Sequence, residues 1–219
     1  VEYLREWLDK GKAWAQNMMA QWYRDGKHGL KQSYVMAAML FEKAVAQGNP
    51  NAMYSLALMY NTGQGVVQSF EKVAEFCAMA TEQGHVQAMY HLGMMYQDGK
   101  GVAQSSEKAA EFWTMAAEQG HVSAMDVLGC LYFQGVGIQG IGVDQADKLA
   151  REWWIKAANG GSENAALQVA RMYEHGTWCG KEVAQSYQKA IELYTVAAEK
   201  NNTDAMFRLG VMHYHGNGV

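Results

Sequence analysis

Ala52, Leu56, Ala57, Tyr60, Gly63, Gly65 and Val66 return as Ala88, Leu92, Gly93, Tyr96, Gly99, Gly101 and Val102, displaced by 36 residues at every position. A period of this length with glycine in both halves belongs to stacked helix pairs, because one pair cannot bury its own apolar face and must lean on its neighbours. Counted from the first alanine, the units begin at Ala15, Ala52, Ala88, Ala124, Ala165 and Ala205, with spacings of 37, 36, 36, 41 and 40. The chain divides accordingly into a partial helix of a preceding repeat (1–14), repeats at 15–51, 52–87 and 88–123, repeats with loop insertions at 124–164 and 165–204, and a truncated repeat at 205–219. Both ends fall inside a repeat, so the expectation is a window on a longer protein.

Each unit reads as helix, Gly-rich turn, helix, Gly turn. In the third, the first helix is expected near Val86 to Gln97 and the second near Ser105 to Gln119. Ser69, Ser105 and Ser186 share one column before a helical run, where a hydroxyl accepts from an otherwise unpaired first-turn N–H. Gly48, Gly84, Gly120 and Gly161 end the second helices with a left-handed residue, and Asn201 holds that place in the fifth unit. Ala116, Ala117, Ala157, Ala158, Ala197 and Ala198 are small where helices approach closely, with bulk one turn earlier at Trp113, Trp154 and Tyr194. The lone proline, Pro50, leaves the helices uninterrupted.

The pattern Ala-x3-Leu-Gly-x2-Tyr-x2-Gly-x-Gly-Val, followed by Lys-Ala, Trp and Ala-Ala-x2-Gly, resembles the Sel-one-like repeat family, a branch of the tetratricopeptide-type arrays. The resemblance covers essentially all of the chain, and Ala88 to Gly120 matches it nearly throughout. It implies an all-α, right-handed α/α superhelical solenoid, here of about eleven helices, with Leu92, Tyr96 and Trp113 buried. It also implies an adaptor role. Ser replaces the usual acidic residue before the second helix, Cys77 replaces the Trp, and His213 sits where Tyr is expected.

Other functional classes find little support. A net charge of −4 without a Lys/Arg cluster argues against nucleic acid and anionic membranes, and no apolar run approaches the roughly 18 residues of a membrane-spanning helix. Cys77, Cys130 and Cys179 stand at three different repeat positions and form no disulfide framework, which points to a reducing compartment. His213 and His215 are two apart on a helix and diverge, His175 shares the column of His215, and His85 and His121 each follow a junction glycine, so no metal ligand set is read. Gly135 to Gly140 has a Gly-x-Gly-x-x-Gly spacing but follows a helix inside a repeat, not a strand. No catalytic or cofactor-binding residue is assigned. Met53, Met89, Met125 and Met206, with Met59, Met95, Met172 and Met212, flank the core stripe and read as core filler.

The opposite side of the first helices carries the candidate binding residues. Helical spacing turns Tyr54, Leu58, Tyr90, Met94, Phe133, Leu167, Arg171, Phe207 and Tyr214 away from the core stripe, at about 180° to 240°. In arrays of the resembled family these helices line the concave surface, and Tyr, Phe, Met and Arg together have the composition of protein interfaces. The competing reading is that neighbouring repeats bury these side chains against each other. The expected function is a non-catalytic scaffold for a peptide or partner protein. The alternatives are a positioning region of a larger enzyme complex and self-association through exposed array ends. Two long loops, 136–142 and 177–182, fall at the same turn of adjacent repeats and are read either as a shared recognition edge, with Trp178 at an apolar tip, or as cheap insertions.

Overall fold

In the computed structural model, residues 2–134, 143–178 and 181–218 are described, and they contain twelve helices. These are α1 (Glu2–Asp9), α2 (Ala13–Asp25), α3 (Tyr34–Val45), α4 (Pro50–Thr62), α5 (Phe70–Glu82), α6 (Val86–Asp98), α7 (Ser106–Glu118), α8 (Val122–Gln134), α9 (Val143–Asn159), α10 (Glu163–His175), α11 (Tyr187–Ala198) and α12 (Thr203–His215). About eleven were expected, and a full complement of pairs with one helix at either end gives one more. The sole strand pairing among the described residues is a two-residue hairpin, β1 (Thr177–Trp178) against β2 (Lys181–Glu182). The helices form two compact units, Val1–Met115 and Ala116–Val219.

Within each unit the repeat alanines lie in the core: Ala15, Ala52, Ala88, Ala124, Ala165 and Ala205 are all wholly buried. From Ala52 onward the amide of that same alanine also receives the helix cap. Asn49 Oδ1 accepts from Ala52 N at 3.0 Å, His85 Nδ1 from Ala88 N at 3.2 Å, and His121 Nδ1 from Ala124 N at 3.2 Å. Ser162 Oγ and Asn202 Oδ1 do the same for Ala165 and Ala205. The residue after each junction glycine is thus an N-cap, which gives the column of His85 and His121 its physical meaning. The serines cap the second helices as expected, Ser69 accepting from Lys72 N, Ser105 from Lys108 N and Ser186 from Lys189 N, and Ser33 joins them through Met36 N. Asn201 takes a left-handed φ of 66° in the place of the junction glycines.

The turn between the two helices is held by a glutamine column that the sequence reading passed over. Gln32, Gln68, Gln104 and Gln185 each donate a side-chain N–H to a carbonyl near the end of the preceding helix, at 2.7 to 2.8 Å. The amide of the serine that follows donates to the carbonyl of Tyr23, Tyr60, Tyr96 or Tyr173. Two orphan carbonyls of each first helix are thereby satisfied in the same way four times. The recurring Gln-Ser dipeptide was the available signal.

Packing of the second helix on the first depends on a trade in side-chain size. Trp113 and Trp154 are buried, and a Cβ built on Gly93 or Gly129 would come within 2.5 Å of the facing indole. Where the second helix carries Phe41, Cys77 or Tyr194, the position corresponding to Gly93 is Ala20, Ala57 or Ala170, and all six of these residues are buried. Cys77 in place of Trp thus goes with an extra methyl on α4. Leu92 is buried as expected, but Tyr96 is only half-buried: its ring stacks on Phe112 at 5.5 Å with the Lys108 ammonium 5.2 Å away, which leaves one edge at the surface. Six of the eight core-filler methionines are buried. Met125 is half-buried, and Met206 is exposed because no described helix packs over that side of α12.

Two predictions follow from this packing and capping. Gly93→Ala is expected to cost about 1–3 kcal/mol by overpacking against Trp113, and the loss in denaturant midpoint should shrink in Gly93→Ala/Trp113→Cys, which recreates the Ala57 and Cys77 pairing. Additive losses would refute the size trade. The second concerns pH. Burial holds the His85 and His121 imidazoles below their ordinary pKa, and each needs a neutral Nδ1 to accept its amide. The unfolded chain therefore takes up protons first. The contribution to stability is complete above about pH 6.5 and is lost as pH falls below that value toward the depressed folded-state pKa. Melting temperature should drop between pH 7.5 and 5 by more in the native chain than in His85→Asn/His121→Asn, since Asn caps the equivalent positions at Asn49 and Asn202.

Candidate functional site

The candidate residues share a helix face by sequence register, but their environments differ. In the first unit Tyr54 and Leu58 on α4 and Tyr90 and Met94 on α6 are all half-buried. The Tyr54 ring lies 4.8 Å from that of His85 and meets His91 edge-on at 6.1 Å, so the first helix of the next repeat covers much of it. Burial, with a smaller contribution from the neighbouring Cys77, raises the Tyr54 phenol pKa; burial also lowers that of His91 and pushes the Cys77 thiol up to about 12. These groups are neutral and packed at neutral pH. The carbonyl of Tyr90 accepts the Trp113 indole N–H at 3.2 Å, which ties this face to the helix behind it. Met94 lines a cleft of about 200 Å³ with Asn61, Phe70, His91, Asp98 and Lys100. Its lining mixes the apolar Phe70 and Met94 with the polar Asn61, Asp98 and Lys100.

In the second unit the same columns divide more sharply. Leu167 is 8% exposed and belongs to the core of this unit, so it is not presented at the surface as the outward reading expected. Arg171 is half-buried, with its guanidinium 3.7 Å from Asp204 at the start of α12. Phe133, Phe207 and Tyr214 are exposed at 50%, 69% and 86%. Of these, Phe133 also packs at 5.4 Å on Trp154 and 5.6 Å on Trp178.

Two acidic residues on this face were missed as organising groups. Asp126 accepts the Trp154 indole N–H at 3.1 Å, the Ser162 hydroxyl at 3.0 Å and the Asn164 amide at 3.0 Å. It joins three helices. Glu174 accepts the Tyr194 hydroxyl at 2.6 Å and lies 3.6 Å from Arg208, and burial together with this carboxylate raises the Tyr194 pKa. Both residues occupy outward columns, yet each is committed to internal bonds. Nothing in the periodicity distinguishes such a carboxylate from one in solvent.

The loop at 136–142 and the Gly135 to Gly140 spacing lie outside the described residues, as does Cys179. Trp178 is half-buried and meets Trp154 edge-on at 5.4 Å, so it packs on the array instead of forming an apolar loop tip. His213 and His215 are both exposed on α12, and among the described residues no three His, Cys, Asp or Glu side chains converge on one point. No described helix is long and apolar enough to cross a membrane.

Comparison with known proteins places this geometry. The Sel1 repeat matches the chain in six successive segments, residues 15–49, 50–85, 86–121, 122–162, 164–202 and 203–219. The ERAD-associated E3 ubiquitin-protein ligase components HRD3B and HRD3A of Arabidopsis thaliana are 34% identical over 86 residues and 33% identical over 85, which is 38% of this chain in each case. The chain spans only 13% and 12% of their lengths. Among solved structures, c5321, a protective antigen of uropathogenic Escherichia coli strains displaying an SLR fold, superposes with a TM-score of 0.88 at 31% identity, covering 98% of this chain and 44% of that one. A Sel1 repeat protein from Oxalobacter formigenes gives 0.75 at 26% identity, covering 94% and 78%. From its six repeats, its buried alanine column and its helical-pair architecture, the chain belongs to the Sel1 repeat family, whose solenoid arrays typically mediate protein–protein interaction.

Proposed function

We propose that the array is a non-catalytic scaffold whose first-helix faces hold a peptide segment or a helix of a partner protein. The observation that carries this reading is the exposure of large apolar side chains on those faces, above all Phe207 and Tyr214 at 69% and 86%. Aromatic side chains of this kind are the usual anchors of protein interfaces. In the first unit the cleft beside Met94 offers a mixed apolar and polar lining for the same purpose. Tyr54, Leu58 and Tyr90 are half-buried on the same face there, and in the second unit Arg171 is already engaged by Asp204. A rigid face of this type binds with little ordering cost of its own.

A second reading has one observation behind it. The similarity to components of a ubiquitin ligase favours an array that positions a larger enzyme complex, with the chemistry performed outside these residues. A catalytic or ligase-binding segment adjoining the array in the full-length protein would be its mark.

The test uses peptides selected from a displayed library on the purified array. Phe207→Ser/Tyr214→Ser is expected to weaken the selected binders more than about tenfold, roughly 1.4 kcal/mol, with the melting temperature unchanged because both side chains are exposed. Undiminished binding by the folded double variant would move the site off this face.

A further inference from the structure

The second helices expose a repeating set of charges, and the first repeat breaks it. Counted from the capping serine, the second, third and sixth positions are Glu71, Lys72 and Glu75 on α5, Glu107, Lys108 and Glu111 on α7, and Gln188, Lys189 and Glu192 on α11, all exposed. In α9, Lys148 and Glu152 are exposed at the corresponding places around a half-buried Leu149. In α3 the same three positions are Val35, Met36 and Met39, exposed at 59%, 41% and 49%. Only in the first repeat are all three positions apolar.

The result is a helix that is apolar on both faces through its first two turns, from Tyr34 to Phe41. Apart from Glu42 and Lys43 every residue of α3 is hydrophobic, and its inner face, Ala37, Leu40, Phe41 and Ala44, is already buried in the first unit. A helix of that character is ordinarily covered on both sides. Two features say what covers the outer one. Three side chains supply far less than the ~800 Å² per partner of a standard protein interface, so the patch suits one helix laid along α3 and not a second folded copy. Charge supplies the other. Residues 15–51 carry Arg24, Lys27, Lys31 and Lys43 against Asp25 and Glu42, a net +2 in a chain of net −4, whereas each of the next three repeats is net acidic. Arg24 and Lys27 both pair with Asp25, at 2.8 and 3.3 Å, while Lys31 before α3 and Lys43 near its end have no ion-pair partner among the described residues.

We propose that the outer face of α3 docks an amphipathic helix of a partner protein, its apolar seam on Val35, Met36 and Met39 and its acidic flanks on Lys31 and Lys43. Methionine suits this role because a flexible thioether adapts to seams of different shape. The surface is separate from the first-helix faces and does not rest on the reading given to them.

The probe is a fluorescein-labelled 18-residue helical peptide with leucine at every third and fourth position and glutamate elsewhere, measured by anisotropy against the whole array. The competitor test replaces its glutamates with lysine. Val35→Glu/Met36→Lys/Met39→Glu, which installs the residues of α5, should weaken the acidic peptide by about tenfold or more, and the lysine peptide should bind the native array about tenfold less well than the acidic one. The milder Met39→Gln, with helicity checked by circular dichroism, should weaken binding by about threefold and keeps the test decisive if the triple variant misfolds. Equal binding by native and variant arrays, or of the two peptides, overturns the proposal. So does a native array that ignores the acidic peptide but binds phosphatidylserine vesicles, or one whose dimerisation in sedimentation equilibrium disappears with the triple variant.

Discussion

Every repeat closes at one alanine. The column from Ala15 to Ala205 is wholly buried, and in a close-packed interior a larger side chain there would have to displace its neighbours. From Ala52 onward the amide of that alanine also receives the N-cap side chain, through Asn49, His85, His121, Ser162 and Asn202. Close packing and helix initiation are therefore fixed at the same residue. A junction glycine or Asn201 turns the chain with a left-handed residue, the next side chain caps, and the third residue beyond it makes the contact.

Given that closure, the remaining freedom is mostly in how volume is divided across the helix pair. An indole on the second helix is matched by a glycine on the first, and a smaller side chain by an alanine. Interiors are close-packed, so a methylene gained on one helix has to be given up on the other. The outward columns obey a looser rule. Tyr54 and Leu167 are covered by neighbouring helices to different degrees, whereas Phe207 and Tyr214 are open, although all four are placed alike by helical period.

The contrast between Asp126 and Phe207 shows how far the candidate face was legible. Both occupy the second column of a first helix. Asp126 is turned inward by three donors, the Trp154 indole, Ser162 and Asn164, of which the nearest in sequence is twenty-eight residues away. Phe207 meets no such set and stays in solvent. Angular position around a helix is local, but the donors that capture a side chain come from other helices. Trp178 is a similar case: its loop is obvious from the spacing, while its packing on Trp154 and Phe133 is not.

The sequence by itself determined the repeat, the helix pairs, the serine caps and the left-handed closures, because these depend on residue type at fixed short spacing. It also placed the alanine column and the indoles in the core, since the same apolar positions recur in every unit. Only the tertiary structure decided that His85 and His121 are caps, that Leu167 is core, and that Asp126 and Glu174 are internal acceptors. It also left Val35, Met36 and Met39 at the surface, where the other repeats place charges. The physical reason is one of range: backbone geometry and helix ends are set within a few residues, whereas burial and hydrogen-bond partners are set by whichever helix happens to lie alongside.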